Sequence, residues 1–242
     1  MATTIIIPCK DNLSYTKACL KSIYVHTESP FKIIIIDDGS TEKTRRFLRQ
    51  LKNITLIENK ENLGFPKSCN IGMRMVKTKY FVIMNNDVEV TNGWLTMLLE
   101  ALSSNPKIGI LGPMTNYVSG PQHDPNAHYT CARELEQYAY EIKMRKPPRV
   151  EAFSRIVFFC VLISTELYKK IGGLDENFGL GNFEDDDYCL RARMSGFESA
   201  IDHNVFIHHY GSKTFGKLGV GYKELLQKNK NYFMKKWGSS KL

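Results

Sequence analysis

The sequence predicts an α/β fold in which a mostly parallel central sheet is covered by helices on both faces. Short apolar runs rich in β-branched residues, at 3–8, 31–36 and 80–84, alternate with segments of helical periodicity, as in parallel strands connected by helices. The chain has 242 residues, of which 43% are hydrophobic. That is enough to bury the core of one larger domain, or of a domain with an added lobe.

The first half of the chain alternates strands and helices at regular spacing. Residues 3–8 form a β-branched run that ends at Pro8, which is typical of a buried strand. The following elements are predicted in this order: a helix over 14–26, a strand over 31–36, a helix capped by Ser40 or Thr41 that runs to about Leu51, a strand over 53–58, a helix that begins at 62–66, a strand over 80–84, a helix over 91–104 and a strand over 108–111.

The alternation ends near residue 113, and we therefore treat 1–112 and 113–242 as two halves of one domain. Residues 113–130 are rich in Pro, Gly, Asn, His and Tyr, which predicts a long loop, and long loops in compact domains are often functional. The elements predicted beyond it are a helix over 134–144, a strand over 155–164, a helix over 184–195, two short strands within 198–207 and a final amphipathic helix over 222–237.

Composition limits the environment and the partners that we expect. No apolar run approaches the ~20 residues that cross a membrane, and no basic segment of a signal peptide precedes the first strand. The six cysteines form no CxxC pair, which favours reduced thiols and a cytoplasmic protein, with at most peripheral contact at the inner face of a membrane. The net charge of +8 is dispersed and is compatible with nucleic acid, a phosphorylated small molecule, an anionic membrane surface or solubility alone.

The most acidic stretch follows a glycine-rich loop and begins the helix predicted over 184–195. Four carboxylates stand there in a row, at Glu184, Asp185, Asp186 and Asp187. Acids near a helix N-terminus are favourable because the exposed amide hydrogens carry partial positive charge. Four adjacent carboxylates also repel one another, so the cluster indicates a cation or a carboxylate that works as a base.

Three predicted strands change from apolar to polar at their carboxyl ends, at 8–12, 37–40 and 85–87. Ligands of parallel sheets bind at this edge, so the three clusters are expected to converge on one site. The chain carries neither G-x-G-x-x-G after its first strand nor G-x-x-x-x-G-K-[ST], which argues against the usual dinucleotide and P-loop sites. Carboxylate and amide oxygens can instead bind a base and ribose, and hold a divalent cation against a diphosphate.

Seven motifs occur in order with ordinary spacing. They are Ile5-Ile6-Ile7-Pro8, Asp37-Asp38-Gly39-Ser40-Thr41, Asn62-Leu63-Gly64-Phe65, Asn85-Asn86-Asp87, Gly172-Gly173-Leu174-Asp175-Glu176-Asn177-Phe178, Glu184-Asp185-Asp186-Asp187 and His208-His209-Tyr210-Gly211-Ser212. Together, over about residues 3–237, they resemble family 2 glycosyltransferases of the GT-A fold, the inverting, nucleotide-sugar-dependent enzymes of bacterial polysaccharide assembly.

The resemblance implies a Rossmann-like, mostly parallel central sheet with a smaller acceptor-side part. Residues 1–112 would form the nucleotide-sugar-binding half, and residues 113–242 the acceptor-binding and catalytic-base half with its C-terminal helix. The implied reaction moves a sugar from a nucleotide diphosphate sugar to a hydroxyl of a glycan, lipid-linked or protein acceptor.

The resemblance also implies roles for individual residues. Nucleotide-sugar contacts would come from Pro8, Lys10, Asp38, Asn62, Gly64, Lys67 and Asn86. Asp87 and His208 would bind Mn²⁺ or Mg²⁺, with His209 as the rival of His208. Asp185 would be the general base, with Glu184 beside it.

Two departures from the family pattern keep other interpretations open. Asn85 removes one negative charge from the family's Asp-x-Asp motif, and Lys10 stands where an aromatic residue is common. The main alternative is a non-catalytic nucleotide- or carbohydrate-binding module of the same fold. A sugar nucleotidyltransferase is disfavoured because a glycine-rich basic loop is missing near the N-terminus, and a nucleic-acid-binding protein rests on charge alone. Asp37 could merely cap a turn. Asp186 and Asp187 could be solvent-exposed residues at the start of a helix, and we favour this interpretation for Asp187.

Overall fold

The computed structural model describes residues 2–211 and 220–238. The strands are β1 Thr3–Cys9, β2 Phe31–Asp38, β3 Ile54–Asn59, β4 Tyr80–Met84, β5 Val88–Glu89, β6 Ile108–Met114, β7 Val150–Ala152, β8 Cys160–Ser164, β9 Glu198–Phe206 and β10 His208–His209. The helices are α1 Leu13–His26, α2 Glu42–Arg49, α3 Phe65–Met73, α4 Trp94–Ser104, α5 Ala132–Lys143, α6 Thr165–Ile171, α7 Glu184–Met194 and α8 Val220–Trp237, with a 3₁₀ turn at Glu176–Phe178. Ser212, which closes the seventh motif, lies outside the described residues. In the described ranges, no helix is long and apolar enough to cross a membrane.

One sheet of eight strands forms the centre of the domain, in the order β3-β2-β1-β4-β8-β6-β9-β7. It is mostly parallel, as predicted. β3, β2, β1 and β4 run parallel, and Ile5 lies opposite both Ile33 and Val82. β6 also runs parallel to β9. β8 is antiparallel to β4 and β6, and β7 to β9. β8 therefore connects the parallel set β3-β2-β1-β4 to the set β6-β9-β7.

Helices cover both faces of this sheet and bury two hydrophobic clusters. Successive side chains of a strand point to opposite faces. Ile5 and Ile7 therefore join the cluster under α1 and α4, whereas Ile6 joins the cluster under α3, α5 and α7. The β-branched runs of the sequence are thus buried on both sides, which explains why they show little alternation of apolar and polar residues.

The structure departs from the predicted elements where contacts distant in sequence decide. Residues 155–159 precede β8 rather than belong to it, and 198–206 form one strand instead of two. β7, α6 and the pair β5–β10 are not predicted at all. α6 follows β8 without a glycine or proline to mark the boundary, and its first turn is capped by Ser164, whose Oγ accepts from the Leu167 amide at 3.1 Å. β5 and β10 are each two residues long and pair across the fold, so neither leaves a local pattern.

Asp187 joins α7 to α8 and is fully buried. Its carboxylate accepts hydrogen bonds from Arg191 Nε at 2.8 Å, Lys236 Nζ at 2.6 Å and Trp237 Nε1 at 2.8 Å. The prediction that Asp187 lies in solvent is therefore wrong. A buried carboxylate must be paired, and two of the three partners of Asp187, Lys236 and Trp237, are about fifty positions away along the chain.

We predict that Asp187→Ala lowers the free energy of unfolding by about 3–5 kcal/mol, because Arg191 Nε and Trp237 Nε1 lose their acceptor and Lys236 loses one of its two carboxylate partners. Urea denaturation monitored by circular dichroism measures the loss. The matched control is Glu42→Ala, which removes the exposed partner of Arg49 and should change stability by no more than about 0.5 kcal/mol. Equal stability of the two variants would contradict a structural role for Asp187.

Candidate active site

A cavity of about 1010 Å³ opens where β1, β2 and β4 end, and both halves of the chain line it. The predicted site residues in its lining are Pro8, Lys10, Asp38, Asn62, Gly64, Asn86, Asp87, Glu184 and Asp185. Two others, Lys67 on the exposed side of α3 and His208, are not among the described lining residues. The three polar strand ends thus converge on one cavity.

The two neighbouring acids at the end of β2 have different tasks. Asp37 is fully buried and lies 3.0 Å from Arg45 Nε, and its carboxylate also accepts from the Ser40 amide. It therefore stabilises the turn before α2. Asp38 lines the cavity and accepts from the amides of Leu63 at 2.8 Å and Gly64 at 3.0 Å. Asp38 thus holds the loop before α3 against the strand end.

Gly64 permits this loop to approach the acidic end of the cavity. Its φ is +90°, and a Cβ at this position would lie 2.2 Å from the carbonyl oxygen of Gly179. A larger residue would have to displace backbone, and its φ would be strained. The close contact brings the glycine-rich segment before α7 next to the loop before α3.

The third polar strand end is tied to the first. Asn86 is buried, and its Nδ2 donates to Thr16 Oγ1 at 2.9 Å and to the Asp11 carbonyl at 3.2 Å. Lys10 Nζ donates to the carbonyl of Gly39. These bonds join the ends of β1, β2 and β4, so the floor of the cavity is organised by the protein itself.

Asp87 faces His209 across the cavity wall, with Asp87 Oδ1 3.3 Å from His209 Nε2. The other ring nitrogen, Nδ1, lies 2.8 Å from the carbonyl oxygen of Tyr117. A carbonyl only accepts, so Nδ1 carries the hydrogen, and Nε2 of the neutral ring presents a lone pair. Nε2 is buried and has no hydrogen-bond partner among the described residues. A lone pair against a carboxylate is unfavourable unless a cation or a proton lies between them.

His209 therefore takes the position that the sequence analysis assigned to His208. The two residues are neighbours on β10, so their side chains point to opposite sides. His208 Nδ1 lies 2.6 Å from the hydroxyl of Tyr129, and its ring packs edge-on against Tyr210. The structure thus places His209 rather than His208 beside Asp87, and the side on which each ring lies depends on the pairing of β10 with β5.

The acidic run begins α7 after a strained turn. Asn182 and Phe183 have positive φ values of 76° and 73°, a conformation that L-residues rarely adopt. Glu184 and Asp185 then lie buried in the cavity wall. Asp186 also lines the cavity, and its Oδ1 is 2.9 Å from Arg155 Nε.

Burial raises the pKa of the three carboxyls that line the cavity at the start of α7. Burial raises the pKa of Glu184 well above its usual range, and the charge of Asp185 adds to the effect. The pKa of Asp185 is also raised by burial, although Arg155 opposes the shift. Burial and Asp185 raise the pKa of Asp186 to about 7, again against Arg155. The loss of water thus outweighs the helix N-terminus, which makes Asp185 a stronger base than a solvated aspartate.

The site contains residues that the sequence analysis did not single out. Arg155 was placed inside a predicted strand, and its ion pair with the acidic run is visible only in three dimensions. Tyr117 orients His209 through a backbone carbonyl, which leaves no side-chain signature. On α8, Tyr222, Leu226 and Lys230 line the cavity at intervals of one helical turn.

The family model of glycosyl transferase family 2 matches residues 4–172 of the chain. The chain belongs to this family. It is therefore a glycosyltransferase domain, which confirms the resemblance found in the sequence. The hyaluronan synthase of Pasteurella multocida is 31% identical over 227 residues, which cover 81% of this chain and 23% of that protein. An uncharacterised Sinorhizobium fredii protein, y4gI, is 24% identical over 97% of this chain and 27% of its own length. The chain thus spans about a quarter of the length of these two relatives.

Solved structures confirm the GT-A fold. GalNAc-T7 with UDP, GalNAc and Mn²⁺ superposes with a TM-score of 0.67 at 15% identity, over 86% of this chain and 44% of its own. The mannosyltransferase PcManGT of Pyrobaculum calidifontis, with GDP-Man and Mn²⁺, superposes with a TM-score of 0.63 at 18% identity, over 88% of this chain and 57% of its own. S. aureus TarS with UDP-GlcNAc superposes with a TM-score of 0.65 at 13% identity, over 97% of this chain and 67% of its own. At these identities the likeness establishes the fold of the glycosyltransferase.

The buried acids predict how the stability of this glycosyltransferase depends on pH. Between the unfolded pKa values, about 4, and the raised folded values, the folded protein binds more protons than the unfolded chain. The free energy of unfolding should therefore fall as the pH rises from about 5 to about 8. Glu184→Gln should make this fall shallower, by up to about 1.4 kcal/mol per pH unit, in urea unfolding measured across the range.

Glu166→Gln is the control for this measurement, because Glu166 is exposed on α6 and its replacement should leave the pH slope unchanged. Identical slopes for the wild type and Glu184→Gln would refute the protonated, buried state of Glu184.

Proposed function

We propose that this domain is an inverting glycosyltransferase that moves a sugar from a nucleoside diphosphate sugar to a hydroxyl of an acceptor. The observation that carries the proposal is a single cavity containing both the Asp87–His209 pair and the buried carboxylate of Asp185. Structures of the same fold support the donor class, since they were determined with UDP, GDP-Man or UDP-GlcNAc. The acceptor would be a glycan, a lipid-linked saccharide or a protein.

The donor side of the site would be the edge formed by β1, β2 and β4. Pro8 and Asp38 would contact the nucleoside, and Asn62 and Gly64 would border it. The amides of Leu63 and Gly64 donate to the Asp38 carboxylate and hold the loop before α3 in place. The nucleotide would therefore meet a surface that is already formed. A preorganised site loses less conformational entropy when its ligand binds.

Asp87 and His209 fit a divalent cation, Mn²⁺ or Mg²⁺, because the neutral imidazole presents an unsatisfied lone pair beside a carboxylate. Such an ion would neutralise charge on the departing diphosphate. Within residues 2–211 and 220–238, no group of three or more His, Cys, Asp or Glu side chains is arranged to hold a metal. We therefore propose that diphosphate oxygens and water complete its coordination.

Asp185 would remove the proton of the acceptor hydroxyl as its oxygen attacks the anomeric carbon. The nucleoside diphosphate would leave from the opposite face of the sugar, and the configuration would invert. The raised pKa of Asp185 suits it to accept this proton. Glu184, whose pKa burial raises well above its usual range, would donate a hydrogen bond to a sugar hydroxyl in the cavity when protonated. The acceptor would enter beside α8, between Lys230 and Arg155.

We predict that Asp185→Asn lowers the transfer rate by about 100- to 10,000-fold, because the amide cannot take a proton. Donor binding should change little, since Asp185 lies away from the strand ends that would hold the nucleotide. Single-turnover transfer and calorimetric titration of the donor with Mn²⁺ measure the two quantities. A screen of UDP-, GDP- and dTDP-sugars by thermal shift identifies the donor to use.

Asp186→Asn is the matched control and should retain transfer, because this residue is paired with Arg155. An active Asp185→Asn enzyme would remove Asp185 from the role of base. A wild-type protein that binds the nucleotide in a saturable, metal-dependent way, but neither transfers nor hydrolyses any donor, would instead identify a binding module.

We predict that His209→Ala weakens Mn²⁺ binding in the presence of nucleoside diphosphate by at least about 10-fold, as measured by electron paramagnetic resonance titration. His208→Ala removes the neighbouring imidazole and should leave the affinity unchanged. The reverse pattern would restore His208 as the ligand, and no effect of either variant would place the cation elsewhere.

A further inference from the structure

The backbone of residues 181–183, which precedes Asp185, adopts a conformation that its residue types do not favour. Gly181, Asn182 and Phe183 have consecutive positive φ values of 125°, 76° and 73°, and two of the three are not glycine. Phe183, which precedes α7, makes no side-chain capping hydrogen bond within the described structure. Such a conformation persists only where surrounding groups over-determine it.

Asn229 of α8 supplies the missing restraint. Its side chain is buried, with the residue 1% exposed. Its Nδ2 donates to the carbonyl oxygens of Phe178 at 2.8 Å, Gly181 at 2.8 Å and Asn182 at 3.1 Å. One side-chain amide thus forms hydrogen bonds with three backbone carbonyls of the segment that precedes the acidic run. Asparagine is a poor helix former, so its position in the middle of α8 is better explained by these bonds than by local propensity.

We infer that Asn229 is a positioning residue of this glycosyltransferase, which sets the backbone before α7 so that Asp185 meets the acceptor. α8 is suited to this task because it is itself firmly docked. Phe233 packs with Phe178 and Leu190, and Lys236 and Trp237 bond Asp187.

The same helix also borders the cavity, through Tyr222, Leu226 and Lys230. The Tyr222 hydroxyl donates to Asn182 Oδ1 at 3.2 Å. α8 therefore touches both the acceptor side of the cavity and the turn that carries the base, so a change in Asn229 would alter the distance between them. The inference rests on the proposed function, because it requires Asp185 to act as the base.

A second buried asparagine provides a matched control. Asn204 is 4% exposed, and its Nδ2 donates to the carbonyls of Ile142 at 3.1 Å, Lys143 at 3.5 Å and Arg145 at 2.9 Å. It clamps the turn after α5 as Asn229 clamps the turn before α7. None of these four residues belongs to the described lining of the cavity. Replacing Asn204 should therefore cost stability without affecting catalysis.

The test compares Asn229→Ala and Asn204→Ala at a temperature where both are folded. For Asn229→Ala we expect kcat to fall by about 10- to 100-fold, since small displacements of a catalytic group have effects of this size. The KM for the donor should stay near that of the wild type. The acidic limb of the pH profile of kcat should move to lower pH, because a loosened turn would hydrate Asp185 and lower its pKa. Asn204→Ala should keep the wild-type kcat and profile.

Asn229→Ser retains one hydrogen-bond donor and replaces Asn229→Ala in the test if the alanine variant does not fold. Its kcat should lie between those of the wild type and Asn229→Ala. If Asn229→Ala cannot be measured, the kcat of Asn229→Ser should still lie below that of the wild type. A wild-type kcat in a folded Asn229 variant would overturn the inference, and so would an equal loss in Asn204→Ala.

Hydrogen exchange separates this failure from failure of the proposed function. If Asn229 positions the turn, amides of residues 181–187 should exchange faster in Asn229→Ala than in the wild type, whether or not a donor has been found. An inactive wild type that shows this acceleration would refute the function and leave the restraint standing. An active wild type without the acceleration would refute the restraint.

Discussion

The buried carboxylate of Asp187 is the interaction on which the geometry of the active site depends. In a low-dielectric interior an unpaired carboxylate is costly, and the partners of Asp187 belong both to its own helix, through Arg191, and to α8, through Lys236 and Trp237. The bonds from Lys236 and Trp237 tie α8 to the start of α7. Asp185 stands two positions earlier, about 200° around the helix, and so lies in the cavity wall instead. One acidic run therefore contains a buried structural anchor and a cavity-lining carboxylate on different sides of a helix.

The two sides of the cavity present opposite electrostatic problems. At Asp87 and His209, a carboxylate oxygen lies 3.3 Å from an imidazole nitrogen, and a cation or a proton is needed between them. At Glu184 and Asp185, burial raises the pKa of both carboxyls, so each binds a proton more strongly than a solvated carboxylate would. Arg155 limits this effect from the rim. Desolvation produces both conditions, because it prevents water from screening charges or satisfying lone pairs.

The positions of the main strands, and of the polar residues that follow them, could be predicted from the sequence because both depend on the local pattern of apolar and polar residues. Apolar β-branched runs at 3–8, 31–36 and 80–84 became β1, β2 and β4, and the residues that follow them line one cavity. The choice between His208 and His209 could not be predicted, because a strand of two residues carries no periodicity. The burial of Asp187 was missed because its partners in α8 are too distant in sequence to be read as a pattern.

The sequence by itself determined the α/β class, the order of the main strands and helices of the first half, the resemblance to the family and nine of the residues that line the cavity. These follow from short-range periodicity and from motifs whose spacing is visible along the chain. Only the tertiary structure decided which acid anchors a helix, which histidine faces Asp87, and that burial outweighs the helix N-terminus at Asp185. Those outcomes depend on the exclusion of water and on partners brought together by folding, and both are properties of the packed molecule rather than of any segment.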